Sequence, residues 1–218
     1  MRFDPTVLEQ AKQRAIDFLS TKTKTVVKSD GTTVEEENEW FVNPLQQTSP
    51  VKLIQEQPFL NTNQNVEFDF SLTAPPASAT LNNVTLPKTN IAAVYAIQYL
   101  IGQGDAANNR EYYSHGFTAN DDSTYNSILS MTIEDSKKID RMAGQDFKNV
   151  YASPLQFDEC SGVAVIKPIR ILTGESGIWK INWNLINPIS GLKLTSSLFH
   201  SMRLLCVMGQ ATGKPKSR

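Results

Sequence analysis

Across residues 177–186 apolar and polar side chains alternate one by one: Trp179, Ile181, Trp183 and Leu185 on one side, Lys180, Asn182 and Asn184 on the other. A period of two marks a β-strand with one dry and one wet face, because successive side chains leave the pleated backbone in opposite directions. The same rhythm runs through Val66-Glu67-Phe68-Asp69-Phe70-Ser71-Leu72. Further strands are expected over 127–133, 163–172 and 202–208. Residues 91–101 read as a fully buried strand, with a helix capped by Asn90 as the other solution.

The amino terminus follows a different period. Asp4 can cap, Pro5 suits the first helical position, and Val7, Leu8, Ala11, Ala15, Phe18 and Leu19 recur at helical spacing. This amphipathic arm is expected to dock on something apolar, a neighbouring subunit or the body of the same chain. Next, residues 23–27 and 32–36 flank Ser29-Asp30-Gly31, a strong hairpin signal, and the hairpin's polarity predicts that it projects outward. Between 40 and 60, Pro44, Pro50 and Pro58 favour extended or edge segments over central strands. Residues 102–125, rich in Asn, Asp, Gly and Ser, read as the longest polar loop, and Tyr112, Tyr113, His115 and Tyr125 make it the first place to look for a partner.

With 218 residues, 40% of them hydrophobic, the chain can bury a full core in one large β domain with extensions. The division expected is a helical arm over 1–22, a hairpin and extended segment over 23–60, a β body over 61–209 and a basic flexible tail over 210–218. Many short strands and one helix point to an all-β antiparallel sandwich of about eight strands, jelly-roll-like, with an immunoglobulin-like sandwich as the close alternative.

Twenty-one basic residues nearly cancel 22 acidic ones, so the body has no global field to draw in nucleic acid or an anionic membrane. The tail is the local exception: Lys214, Lys216 and Arg218 can make a weak, sequence-independent phosphate contact. No apolar run approaches the roughly 20 residues of a transmembrane helix, and the first residues lack the apolar core of a secretory signal. Cys160 and Cys206 are expected to be free, buried thiols.

Several motifs imitate chemistry. Gly102-Gln103-Gly104-Asp105-Ala106-Ala107 mimics a dinucleotide fingerprint, but no helix pattern follows to hold a pyrophosphate. Gly209-Gln210-Ala211-Thr212-Gly213-Lys214 has three residues between its glycines where a phosphate-binding loop has four, and Pro215 stands where that loop needs Ser or Thr. Ser114 adjoins His115 and Ser201 adjoins His200, yet sequence neighbours on a strand face opposite ways. Asp121, Asp122, Asp158 and Glu159 read as turn acids, and no ligand spacing for a metal is visible. No cofactor is expected, and the Asn83-Val84-Thr85 sequon has no meaning without a secretory route.

The amphipathic arm, the Asn/Gln/Ser/Thr-rich β body and the short basic terminus resemble the jelly-roll capsid and virion structural proteins of small tailless phages and viruses. The resemblance is architectural and extends over the whole chain. Unlike many coat proteins, this chain has no long basic amino-terminal arm, which favours protein–protein shell contacts over genome packaging. It implies a non-enzymatic subunit, assembled in the host cytoplasm into a virion through contacts with copies of itself and other virion proteins. Val7, Leu8, Ala11, Phe18 and Leu19 would then be subunit contacts, and Tyr112, Tyr113, His115 and Tyr125 loop contacts. A glycan-binding β-sandwich using the loop tyrosines is the alternative, and a hydrolase on the same scaffold comes third.

Overall fold

The computed structural model describes residues 4–37, 41–43, 48–58, 65–70, 90–105, 108–113, 127–133, 136–147, 161–172, 179–185 and 198–212. Among the described residues one α-helix, α1 (Pro5–Ser20), precedes twelve strands: β1 (Thr23–Val27), β2 (Thr33–Glu37), β3 (Phe41–Val42), β4 (Ser49–Pro58), β5 (Asn65–Asp69), β6 (Asn90–Asp105), β7 (Asn108–Tyr113), β8 (Ser127–Ile133), β9 (Ser136–Ala143), β10 (Val163–Leu172), β11 (Trp179–Leu185) and β12 (Leu198–Thr212), with a 3-10 turn at Gly144–Phe147. The protein is therefore mostly antiparallel β with an amino-terminal helix, and it has more strands than the roughly eight expected. The additional strands are those whose sequence lacks a period-two apolar signal: two-residue β3, polar β7, and β9, which shows solvent Ser136, Lys137, Lys138, Asp140 and Arg141.

Three layers form around a six-stranded sheet. In it β6 and β12 are central neighbours, β10 and β7 pair along the outer side of β6, and β3 and β4 pair along the outer side of β12. On one face lies the four-stranded sheet β5-β11-β8-β9, and between the sheets Val66, Phe68, Phe70, Leu129, Met131 and Ile133 meet Ala92, Val94, Ile97, Tyr99, Met202, Leu204 and Cys206. On the opposite face lies α1, whose Ala11, Ala15 and Leu19 meet Ile91, Ala93, Tyr95, Ala96, Leu205 and Val207. With both faces of β6 covered, its apolar run has no polar alternation, and residues 91–100 are all buried as a strand rather than a helix. β5 and β8 cover one inner face only, so they keep the period of two: Ser127, Leu129, Met131 and Ile133 are buried and the residues between them half-buried.

A β-bulge sets which residues reach the helix. Leu205 pairs with Ala96 and Cys206 with Val94, so Tyr95 is the extra residue, and both Tyr95 and Ala96 turn to the α1 side. The neighbouring β10 loses register at the same level, between Val165 and Ile169, around Pro168, which donates nothing to a ladder. In the four-stranded sheet the backbone of β11 sets Trp183 opposite Leu129 and Val66, and Ile181 opposite Met131 and Phe68, the register its alternation predicts. The side chains of β11 lie outside the described residues. Among the described residues no helix is long and apolar enough to cross a membrane.

Candidate functional site

α1 begins as its sequence dictates: the Asp4 carboxylate accepts the Thr6 amide at 2.9 Å, and Pro5 occupies the first turn, where no amide donor is needed. Leu8, Ala11, Phe18 and Leu19 pack on the chain's own central sheet, while Val7 stays 38% exposed. Arg170 of β10 fastens the other end. Its Nη2 donates to the Phe18 carbonyl at 3.1 Å and its guanidinium lies 4.9 Å from the Phe18 ring centre, a cation–π contact that also satisfies a last-turn carbonyl. Nothing in the sequence links residues 152 positions apart, so this clamp was not legible there.

From the end of α1 the chain leaves the body as the β1–β2 hairpin, a separate two-stranded sheet. Thr21 Oγ1 donates to the Asp17 carbonyl at 2.9 Å, and Lys22 Nζ sits 5.6 Å from the Phe41 ring centre, fixing the hairpin's base. The Gly31 amide closes the turn on the Lys28 carbonyl at 2.9 Å, and Gly31 at φ +81° supplies the left-handed residue that returns the chain in register. The Thr32 hydroxyl and amide both donate to Asp30 Oδ1, at 2.6 and 2.9 Å, and hold that carboxyl below its usual range. Register runs unbroken from Thr23↔Glu37 to Val27↔Thr33, and Lys24 meets Glu36 at 3.6 Å. Val26 and Val34 face each other half-buried, whereas Val27 is 68% exposed.

Titratable groups inside the body do different work. Tyr99 Oη and His200 Nδ1 share a hydrogen bond of 2.8 Å between the two sheets, and Phe147 meets the Tyr99 ring edge-on at 6.3 Å. Burial pushes the His200 pKa down to about 3, so the buried imidazole is neutral. Ser201, its sequence neighbour, points to the other face and accepts a hydrogen bond from Arg203 Nε at 3.5 Å, so His200 and Ser201 form no nucleophile–base pair. Cys206 is a free, buried thiol whose pKa burial pushes well above its usual value. The described residues contain no group of three or more His, Cys, Asp or Glu that could hold a metal ion.

The expected loop over 102–125 begins instead as β-structure. The β6–β7 ladder pairs Ile101 with Tyr113, Gly102 with Tyr112 and Gln103 with Glu111, so Gly102 lies in a strand and opens no helix. That removes the dinucleotide reading. A Cβ at 102 would stand in the ring of Phe199, so a larger residue there must displace that ring. Polar ribbons pair through their backbones without an apolar alternation, which is why composition read this one as a loop. Tyr112 and Tyr113 belong to β7 by backbone, but their side chains lie outside the described residues, as do His115, Tyr125 and Cys160. Gln210, Ala211 and Thr212, expected in the flexible tail, extend β12 and pair at Ala211↔Val42 and Thr212↔Phe41. Lys214, Lys216 and Arg218 lie outside the described residues.

No protein-family model matches the chain, and no curated protein matches it either. Among the described residues the β1–β2 hairpin is a sheet of its own, apart from the two larger sheets.

Proposed function

We propose that this protein is a structural subunit of a virion, a capsid or coat-type protein that assembles in the host cytoplasm with copies of itself and with other virion proteins. One observation carries the reading: the β1–β2 hairpin stands apart as its own two-stranded sheet and bears the most exposed large apolar side chain among the described residues, Val27. A two-stranded ribbon is marginal in water, so an arm of this kind gains its stability when a neighbour adds to it. Its base adjoins the end of α1 and is tied to β3 by the Lys22–Phe41 contact.

The body suits the role as well. In both sheets most neighbouring strands are distant in sequence, as in sheets wound by long crossovers, and this favours a jelly-roll type of sandwich. The tail lysines and arginine add a weak phosphate contact, secondary to protein–protein contacts. Light scattering and negative-stain electron microscopy of the purified chain test the reading. Regular assemblies far larger than 24.3 kDa are expected. A monomer at every concentration, retained on a glycan resin, overturns it in favour of a sugar-binding module.

A further inference from the structure

We propose that the hairpin joins copies of the chain head to tail, the β1 edge of one copy pairing antiparallel with the β2 edge of the next. This rests on the self-assembly reading above and names the surface and the sense of the contact. The hairpin is polarised from side to side. Lys24 lies within β1 and Lys22 and Lys28 flank it, whereas β2 carries Glu35, Glu36 and Glu37 in succession.

Among the described residues each of these strands pairs on one side only, so its other side is a sheet edge there. Edges are commonly blunted by proline or by a bulge. Here neither strand contains proline, and their mutual register is continuous over all five pairs. Two hairpins can meet in three ways. In full antiparallel overlap, β1 against β1 sets Lys22 opposite Lys28 and β2 against β2 sets Glu35 opposite Glu35; like charges directly opposite one another disfavour both.

Pairing β1 with β2 repeats between copies what the hairpin already does within itself, where Lys24 meets Glu36 at 3.6 Å. Because β1 and β2 run antiparallel, the added copy continues one antiparallel sheet, and the marginal two-stranded ribbon becomes part of a larger one. The two edges of a copy are different surfaces. Such a contact is heterologous and closes only in a ring or continues along a filament or shell.

Sedimentation velocity on the full chain tests this with charge reversals. K24E and E36K should each weaken self-association roughly tenfold, since either reversal sets like charges opposite one another at the 24–36 pair. An equimolar mixture of the two should associate again, because each then offers the edge the other lacks. The double variant K24E/E36K, which exchanges the two charges of that pair, should associate with itself as the unmodified chain does. Association of the unmodified chain should weaken as salt is raised, since exposed charges are screened beyond about 8 Å at physiological ionic strength.

If both single variants assemble like the unmodified chain, the hairpin inference falls and the assembly reading stands. The hairpin inference falls equally if the mixture and the K24E/E36K variant stay dissociated while circular dichroism shows their strands intact. An unmodified chain that never associates removes both.

Discussion

His200 reports the fold's condition through its proton. In the unfolded chain a histidine titrates near 6.5, whereas burial holds this one at about 3, so between those values the unfolded state binds a proton that the native state excludes. Its contribution to stability is therefore complete above about pH 6.5 and declines as pH falls towards 3, at up to about 1.4 kcal/mol per pH unit. We expect denaturant titrations to show that slope between about pH 5 and 6.5, a window that lies above the ordinary carboxylate range. His200→Gln should flatten it, and an unchanged slope would show that His200 is not the group responsible. Tyr99→Phe removes one partner of a buried hydrogen bond, at a cost of about 1–3 kcal/mol measured at pH 7. A third expectation concerns Cys206, whose buried, un-ionised thiol should resist maleimide in the native protein and react once the chain is unfolded. Rapid native labelling mapped to Cys206 by peptide analysis would refute its burial.

At the scale of elements, the decisive contact is a helix laid on a sheet. Leu19 is fully buried in the α1 layer, and Leu19→Ala should destabilise by about 2–5 kcal/mol, read as a shift in the denaturant midpoint. A change below about 0.5 kcal/mol, the range of surface substitutions, would mean that α1 does not dock there. The docking helix and several strands were legible in the sequence because burial on one face leaves a period: 3.6 in α1, two in β5 and β8. β6 was legible for the opposite reason, since covering both faces erases the period and leaves a continuous apolar run bounded by polar residues. β3, β7 and β9 were not, because backbone pairing defines them and backbone pairing leaves no apolar pattern. The bulge at Tyr95 was equally hidden, being a property of how β6 meets β12 rather than of either strand alone. For the candidate site, Asp30-Gly31 announced the hairpin and its polarity predicted the projection. Its separation from both larger sheets depends on which strands find partners, and local sequence does not encode that.

For the molecule as a whole, the arm and the hairpin have separable tasks, although they adjoin in sequence. α1 covers Ile91, Ala93, Tyr95, Leu205 and Val207 on the outer face of the central sheet. Without α1 that face would meet water as a continuous apolar patch, of a kind that leads to association without order. Docking in this structure is on the chain's own body, so the arm belongs to folding before it belongs to assembly. Deleting residues 1–20 should then lower the unfolding midpoint and leave a product prone to irregular aggregation that binds hydrophobic dyes. Replacing residues 22–38 by a short flexible linker removes an element that contributes little to either core, and should leave the midpoint of the body within about 1 kcal/mol of the full chain, the scale of substitutions away from cores. Thermal unfolding of the two deletions, followed by sedimentation of each, separates the tasks: loss of the arm should damage the fold, and loss of the hairpin should abolish ordered assembly of a folded body. If the arm deletion unfolds at the same temperature as the full chain, α1 is not a layer of the core. If the hairpin deletion assembles normally, the contact between copies lies elsewhere on the body.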